Sequence, residues 1–353
     1  MSDKEELVKK IKGMVTVQFC PYKENGDLDL EGLRANTEFL VKFSKGKDVI
    51  ILTNGSTTEA YANSIEEQKQ VIKTVVDTVG GKLPVIAGVS QPGGRETIKL
   101  AKYAKDAGAD FAMVVLPYYH KASREGMYNY YKEIAESVDI PLVIYNNPDV
   151  SASLIDVDLM IKFSELKNIV AIKDNSPNFF EYFWKSVRVD HSKLALLAGH
   201  GELQYVAANS FGFNYTGYVT SIANFAPSLS YQIYEAVNNR DFNKAFDGLK
   251  KIVPILNLYD KYKKRRGSLS VLPSIYEANL MYIPVGKAAM DFVGLRGGPT
   301  RSPLDNLTAE EKEEVWQVTK SLGLNQGKPR FFGRPIFDFR GGNLLRATPH
   351  QKL

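Results

Sequence analysis

Two patterns of apolar and polar positions alternate along most of this chain. Short runs rich in Val, Ile and Leu recur at intervals of roughly 30 residues, as in α/β proteins. Longer segments between them space their apolar residues three and four apart. The short runs predict buried parallel strands and the longer segments predict amphipathic helices. The predicted strands cover residues 13–19, 49–52, 85–89, 111–115, 141–145, 168–174, 194–198 and 214–219.

Helices are predicted after each of these strands and throughout the last third of the chain. Ser64, followed three residues later by Glu67, predicts a capping box at the start of one of them. The other barrel helices are expected at 30–43, 96–107, 123–138, 155–163, 178–187 and in a short segment ending at 209. Beyond residue 225, helices are expected at 225–238, 241–262, 271–281, 285–293 and 309–322.

Eight strand–helix units with short connections predict a (β/α)8 TIM barrel with a C-terminal helical extension. The expected division is a barrel in residues 1–224, a helical extension packed on it in 225–324, and a tail in 325–353. A doubly wound open sheet is the alternative. It would bring a glycine-rich phosphate loop after the first strand, where this chain has Phe19-Cys-Pro-Tyr22 instead.

Composition narrows the class of protein. The chain has 353 residues, of which 44% are hydrophobic and 24% charged, and no apolar run is long enough to cross a membrane. Its net charge of +5 comes from the tail, where six basic residues face only Asp338. The rest of the chain is balanced, so the basic pI does not indicate binding to nucleic acid.

Cysteine content indicates a reducing compartment. Cys20 is the only cysteine, which excludes an intrachain disulfide and a cysteine-rich metal site. The charged first 13 residues lack the apolar core of a signal peptide. We therefore expect a cytoplasmic protein.

The most informative single residue is Lys173, which follows four apolar residues at the end of the sixth predicted strand. Burying an ammonium group is costly, and burial lowers the pKa of a lysine. A neutral lysine amine can attack a ketone to form an imine. The alternatives are that Lys173 reaches solvent or pairs with Asp174.

Other chemically useful residues also follow predicted strands, where a barrel places its active site. They are Ser56 and Thr57 after the second strand, Tyr118 and Tyr119 after the fourth, Tyr145 at the fifth and Gly199 after the seventh. Hydroxyl and backbone N–H groups can hold a carboxylate, and a tyrosine can relay protons. Each has a structural alternative: an ordinary turn for the Ser-Thr pair, and a core or rim aromatic for each tyrosine. Together they describe an imine-forming site for a 2-oxo acid.

The order of these motifs resembles the dihydrodipicolinate synthase / N-acetylneuraminate lyase family. The motifs are Gly-Ser-Thr-x-Glu at 55–59, Pro-Tyr-Tyr at 117–119, Tyr-Asn-x-Pro at 145–148, Ile-Lys-Asp at 172–174 and Gly-x-Gly-Glu at 199–202. The resemblance covers residues 12 to about 324 and includes the late stretches 286–290 and 295–304.

The resemblance implies a class I, Schiff-base-forming lyase. Lys173 would form the imine, Tyr145 would pass protons, and Tyr119 matches a tyrosine that completes a relay across a subunit boundary in some members. Ser56 and Thr57 would bind the carboxylate of pyruvate. The protonated imine serves as the electron sink, so neither a metal nor another cofactor is required.

Two further positions are expected to line the site by the same analogy. Gly199 would offer backbone groups beside the imine. His200 would stand near the distal end of the substrate pocket, although a polar rim residue is an equal alternative. The implied partners are a 2-oxo acid and an aldehyde, in a homotetramer or homodimer.

Two departures from the family pattern change the expected substrate. Thr58 replaces the usual glycine, which predicts a different path for the carboxylate loop. Val150 occupies the place of the arginine that receives the second substrate's carboxylate in dihydrodipicolinate synthases. The favoured activity is therefore aldol cleavage or formation of a 2-keto-3-deoxy sugar acid or a similar 4-hydroxy-2-oxo acid.

Three alternatives stay open: a dehydratase that uses the same imine, dihydrodipicolinate synthase itself, and a 2-oxo acid sensor without turnover. Two segments lie outside the expected chemistry. The basic run 261–266 is predicted to be a solvated helix face. The aromatic-containing tail 325–353 is predicted to dock on its own or a neighbouring subunit.

Overall fold

The computed structural model describes residues 3–267, 269–277 and 279–324 and shows a closed parallel barrel. Each strand pairs with its neighbours in sequence, and the first strand closes the barrel by pairing with the eighth. This confirms the (β/α)8 fold and excludes the doubly wound open sheet. The strands are β1 Gly13–Val17, β2 Val49–Thr53, β3 Val85–Gly88, β4 Phe111–Val115, β5 Leu142–Asn146, β6 Ile169–Asp174, β7 Ala195–Ala198 and β8 Gly217–Thr220.

Helices alternate with these strands and continue after β8, as predicted. They are α1 Asp3–Lys10, α2 Leu30–Phe43, α3 Ile65–Val79, α4 Gly94–Asp106, α5 Arg124–Ser137, α6 Pro148–Ser151, α7 Val157–Ser164, α8 Phe179–Arg188, α9 Gly201–Ser210, α10 Pro227–Asn238, α11 Phe242–Arg266, α12 Tyr282–Phe292 and α13 Ala309–Ser321. The capping box of Ser64 and Glu67 is present at the start of α3. The N-terminal helix α1 was not predicted.

Side-chain direction alternates along each strand and separates the barrel interior from the helix layer. On β6, Ala171 belongs to the interior cluster, together with residues such as Val17 and Met113 of other strands. Ile172 belongs instead to the cluster between strands and helices. The same period of two turns Lys173 inward and Asp174 outward.

The helix α10 occupies the place of the eighth barrel helix. The hydroxyl of Tyr218, on β8, donates to the backbone oxygen of Ser230 at 2.7 Å. The Tyr231 hydroxyl accepts the backbone N–H of Asp48 at 3.1 Å. These contacts close the ring of helices, so α10 packs as the eighth barrel helix, whereas the expected division assigned 225–238 to the extension. The helices α11 to α13 follow it.

The helix predicted at 271–281 is wrong. Within the described part of this segment only Ser274–Tyr276 forms a short 3-10 turn. Pro273 does not account for this by itself, since α12 carries Pro284 as the third residue of its own first turn. The regular helix resumes only at Tyr282.

The basic run 261–266 is not simply solvated, so that prediction is also wrong in part. Arg266 donates to both carboxylate oxygens of Glu311 on α13, at 2.6 and 2.7 Å. Lys261 donates to Glu314 at 2.6 Å. The run therefore fastens α11 to α13.

Within the ranges that the structure describes, no helix is long and apolar enough to cross a membrane. The tail 325–353 lies outside the described residues, so its predicted docking is a prediction still.

Candidate active site

Lys173 stands at the carboxyl end of β6 and faces the mouth of the barrel. It is 5% exposed, and the part of the chain that the structure describes pairs no carboxylate with it. Its Nζ lies 3.7 Å from the ring centroid of Tyr145, the opposite residue on β5. Burial lowers the pKa of Lys173 from 10.5 to about 7. A contact with a ring face favours the ammonium by only about 0.5–2 kcal/mol. The lowering of the pKa by burial corresponds to about 5 kcal/mol. Burial therefore outweighs the ring contact, and a neutral Lys173 amine is available near pH 7.

Asp174 is not the partner of Lys173. It points to the helix layer, where its Oδ1 accepts a hydrogen bond from Lys185 Nζ on α8 at 3.0 Å. Its Oδ2 accepts the Tyr215 hydroxyl at 3.0 Å. Burial opposes ionisation of this carboxyl, but Lys185 and the hydrogen bonds hold its pKa below the usual value. Both alternatives considered for Lys173, an escape to solvent and a pair with Asp174, are excluded.

The phenol of Tyr145 is held in place by asparagines that follow β5 and β6. Asn147 donates from its side chain to the Tyr145 hydroxyl at 2.8 Å, and it also caps α6. Asn175 interacts with the same phenol. Burial nevertheless raises the pKa of Tyr145 well above 10, and the neighbouring Tyr282 hydroxyl adds to this rise. Tyr145 is therefore a neutral proton donor at neutral pH.

The loop that carries Ser56 and Thr57 lies over the barrel interior. A Cβ on Gly55 would stand 3.2 Å from a Leu52 methyl and 3.5 Å from Met113, both interior side chains. Ser56 is half-buried and Thr57 is buried. The loop therefore lies at the same end of the barrel as Lys173.

Thr58 fits this loop without a glycine. Its hydroxyl donates to the backbone oxygen of Gln18 at 2.8 Å and accepts the Gly55 N–H at 3.3 Å. The left-handed backbone positions are Asn54 and Glu59, with φ of 57° and 55°. Thr58, which was expected to change the path of the carboxylate loop, therefore closes this loop with two hydrogen bonds.

Gly199 allows the end of β7 to approach β6 closely. A Cβ there would meet the side-chain oxygen of Asn175 at 1.8 Å, so any larger residue would displace that asparagine. His200 follows as the exposed N-cap residue of α9. Its Nε2 donates to the backbone oxygen of Asn175 at 3.0 Å. This contact places His200 at the rim and leaves its substrate role a prediction.

Tyr119 does not join the site of its own subunit. It is 75% exposed, and its ring meets the ring of His120 edge to face at 4.9 Å. Tyr118, in contrast, is half-buried against the interior cluster. An exposed Tyr119 matches the expectation that it acts across a subunit boundary, which no single subunit can test.

The short helix α6 carries the departure at Val150. This side chain is 40% exposed, and Asp149 beside it is half-buried. Burial raises the pKa of Asp149 to about 6, opposed by Lys263. Asp149 in turn contributes to the raised pKa values of Tyr145 and Tyr282, which places an acidic group near both phenols.

Sequence reasoning missed several residues of this site. Asn147 is the variable position of the Tyr-Asn-x-Pro motif and Asn175 directly follows Ile-Lys-Asp, so both could have been found there. Tyr282 lies more than two hundred residues after Thr57 in the sequence, yet its hydroxyl is 2.9 Å from that threonine's. No pattern in the sequence predicts that contact.

Another missed contact is an ion pair buried behind the same loop. Lys287 Nζ donates to Glu59 Oε1 at 2.7 Å, and both side chains are fully buried.

In residues 3–267, 269–277 and 279–324, no group of His, Cys, Asp and Glu side chains is arranged to hold a metal ion.

Comparison with known proteins agrees with this geometry. The sequence model of the dihydrodipicolinate synthetase family matches residues 10–322. The chain is 31% identical to 4-hydroxy-tetrahydrodipicolinate synthase of Methanococcus vannielii, over 89% of this chain and 99% of the relative. It is 32% identical to the enzyme of the same name from Archaeoglobus fulgidus, with the same coverage.

Among solved structures, dihydrodipicolinate synthase from Oceanobacillus iheyensis superposes with a TM-score of 0.80 at 28% identity, covering 91% of this chain and 99% of that one. The Aquifex aeolicus enzyme gives 0.77 at 29% identity, covering 89% and 99%. The match extends over the barrel and the helices that follow it. The chain therefore belongs to the dihydrodipicolinate synthetase family and is a carbon–carbon lyase of the aldolase type.

Proposed function

We propose that this protein is a pyruvate-dependent class I aldolase in which Lys173 forms the imine. The observation that carries the proposal is a buried lysine, facing Tyr145, that no carboxylate of the described residues pairs with and whose pKa is lowered to about 7. The neutral amine attacks the ketone carbon of pyruvate, and loss of water gives the imine. Protonated imine withdraws electrons from the methyl carbon, which loses a proton and adds to an aldehyde. Hydrolysis then releases the product and restores the amine.

Tyr145 is the proposed proton donor and acceptor for these steps. Its hydroxyl is fixed by Asn147 at 2.8 Å, and its raised pKa keeps it protonated until a stronger base forms beside it. Tyr145 gives its proton to the departing water, and the phenolate takes up the proton that the methyl carbon of the imine loses. The phenol then donates that proton to the aldehyde oxygen as the carbon–carbon bond forms, and the water that hydrolyses the imine restores it. Ser56, Thr57 and the amides of their loop bind the pyruvate carboxylate, and Gly199 offers backbone groups beside the imine.

The acceptor aldehyde has two candidate classes. Full-length similarity to proteins named 4-hydroxy-tetrahydrodipicolinate synthase favours the formation of that compound, from pyruvate and an aldehyde that carries its own carboxylate. Val150 and Asp149 favour an acceptor without a carboxylate at this end, such as a hydroxyaldehyde. An apolar side chain beside an acidic one cannot supply the bidentate clamp of an arginine.

A homo-oligomer is the proposed assembly, with Tyr119 reaching a neighbouring subunit. Support comes from a cluster of exposed aromatic side chains on α8 and at the end of α9. These are Phe179, Phe180, Phe183, Trp184 and Phe211, each between 37% and 69% exposed. Monomers rarely expose so much contiguous apolar surface. Light scattering that found only monomer at micromolar concentration would contradict this assembly.

We also expect a cytoplasmic location. The single cysteine, Cys20, can form no intrachain disulfide, which is typical of a reducing compartment. Cys20 is buried, and burial raises its pKa to about 12.

Borohydride trapping is the decisive experiment. The protein is incubated with pyruvate, reduced, and examined as intact protein and as peptides by mass spectrometry. A pyruvyl-sized adduct on the peptide that contains Lys173 is expected, and none should form in Lys173→Met. A folded protein that forms no adduct would overturn the aldolase assignment and favour a sensor.

The acceptor is then identified by product formation from pyruvate with each aldehyde. L-aspartate 4-semialdehyde tests the reaction named for the relatives, and D- and L-glyceraldehyde test the hydroxyaldehyde class. Loss of water from a 2-keto-3-deoxy sugar acid, without its cleavage, would identify a dehydratase instead.

A further inference from the structure

Tyr282 brings a hydroxyl from the C-terminal extension into the candidate carboxylate site. It is the first residue of α12, and its hydroxyl oxygen lies 2.9 Å from the Thr57 hydroxyl oxygen. Its ring packs edge to face against Tyr259, with centroids 6.3 Å apart. The position of the Tyr282 hydroxyl is therefore fixed by the packing of its ring.

A second, independent contact fixes the same helix to the same loop. Lys287, also on α12, pairs with the buried Glu59 two residues after Thr57. The other oxygen of Glu59 accepts the backbone N–H of Arg301 at 2.8 Å. Because Lys287 of α12 and the backbone of Arg301 both hold Glu59, the fold sets the distance from Tyr282 to Thr57.

The direction of the hydrogen bond follows from proton counting. Each hydroxyl has one proton to donate and can accept two hydrogen bonds. Burial raises the pKa of Tyr282 to about 12, so its phenol keeps its proton at neutral pH. If Thr57 donates its only proton to a bound carboxylate, Tyr282 must donate to Thr57. A donor chain of this kind strengthens each of its bonds.

We propose that Tyr282 is a positioning residue for the 2-oxo acid: it donates to Thr57 and thereby directs the Thr57 hydroxyl proton toward the substrate carboxylate. This inference rests on the proposed function. It adds a residue from the C-terminal extension to a site otherwise built from the strand ends of the barrel.

The test measures binding and chemistry separately, without knowledge of the aldehyde. In D2O, pyruvate bound as the imine of Lys173 loses a proton from its methyl carbon and takes up a deuteron in its place. The exchange rate is followed by NMR at increasing pyruvate concentration. It gives a half-saturating concentration and a maximal rate for the parent, Tyr282→Phe, Thr57→Val and the double variant.

Tyr282→Phe keeps the ring that packs on Tyr259 and removes only the hydroxyl. Its half-saturating pyruvate concentration should rise about tenfold, the effect of one hydrogen bond, with the maximal rate reduced less than twofold. The double variant should resemble Thr57→Val alone, because the tyrosine acts only through the threonine. The control is Tyr234→Phe, whose hydroxyl lies 3.3 Å from Asp48 at the opposite end of the barrel. It should match the parent.

The results that would overturn the inference differ from those that would overturn the proposed function. An unchanged or lower half-saturating concentration in Tyr282→Phe would overturn the inference, as would additive effects in the double variant. If Tyr282→Phe fails to fold, Tyr282→Met alone and combined with Thr57→Val gives the same comparison. Methionine also lacks the hydroxyl, so Tyr282→Met should raise the half-saturating pyruvate concentration and should add nothing to Thr57→Val; an unchanged value for Tyr282→Met would overturn the inference. A parent that shows neither exchange nor a borohydride adduct on Lys173 would overturn the proposed function as well.

Discussion

Lys173 and Lys185 are both buried beside β6, and they differ in what surrounds their amines. Lys185 lies in the helix layer, fully buried, 3.0 Å from a carboxylate oxygen of Asp174. Lys173 lies inside the barrel mouth, where the described residues give it the face of Tyr145 and no carboxylate. The positive charge of Lys185 is therefore compensated by a buried carboxylate. Among the described residues, no carboxylate compensates a charge on Lys173.

The difference shows how one strand serves both stability and chemistry. Adjacent residues of a strand point to opposite faces, so Asp174 can bind Lys185 behind the sheet without quenching Lys173 in front of it. A buried cation without a partner costs stability, and such costs are found where a function requires them. The Glu59–Lys287 pair repeats the stabilising arrangement behind the carboxylate loop.

The largest expected effect comes from removing the uncompensated amine. Lys173→Met should lower turnover by at least about 10³-fold, the scale of losing a covalent nucleophile. Stability at pH 7 should rise by about 2–4 kcal/mol, because the cost of burying this amine disappears. Urea unfolding and the aldol assay measure the two effects. A variant that lost activity and stability together would show that Lys173 is structural.

Removing the compensated amine should have the opposite result. Lys185→Met leaves Asp174 as a buried carboxylate without a cation, which costs about 3–5 kcal/mol of unfolding free energy. Asp174→Asn combined with Lys185→Met should recover part of this loss, since no charge is then buried. Thermal and urea unfolding of the parent and of these two variants test this. A Lys185→Met variant as stable as the parent would remove the basis of the comparison.

A pH series tests the environment of Lys173 itself. Its pKa is about 7 in the folded protein against 10.5 for the free side chain. Between these values the unfolded chain binds more protons, so this residue makes stability rise with pH, by about 2 kcal/mol from pH 7 to 9. Lys4, whose pKa burial lowers to about 8, also titrates in this range. The prediction is therefore the difference between the parent and Lys173→Met. Parallel stability curves would contradict the lowered pKa.

The smallest effect is expected for an ion pair on the outer surface of the same region. Arg188, at the end of α8, lies 2.6 Å from Asp158, and both side chains are about half exposed. Arg188→Ala should cost less than about 1 kcal/mol. This exposed pair serves as the matched control for Lys185→Met, and an equal loss in both would mean that burial does not set the cost.

Most of the barrel could be predicted because its signals are local. Apolar runs such as 111–115 and the capping box of Ser64 predict their elements from neighbouring residues alone. Two failures concern helices. The apolar spacing of 271–281 resembles that of a helix that does not form, and α1 is too polar to be predicted. The basic run 261–266 pairs with α13 across the extension, and its sequence gives no sign of that.

The residues of the candidate site could also be predicted only in part from the sequence. Lys173, Tyr145, Ser56, Thr57 and Gly199 could be selected from the sequence because each closely follows or ends a predicted strand, and parallel strands bring those ends together. Tyr119 could be selected too, but the structure leaves it 75% exposed on its own subunit. The fold therefore brings some of the predicted residues together and directs another away.

What the sequence determined by itself is the set of strand ends and the chemistry they carry, since periodicity and motif order are properties of neighbouring residues. The tertiary structure alone decided which charges meet. It paired Asp174 with Lys185 and Glu59 with Lys287, gave Lys173 no carboxylate partner among the described residues, and set Tyr282 against Thr57. Such contacts depend on packing between distant segments and on the direction of each side chain, and these exist only once the barrel has closed.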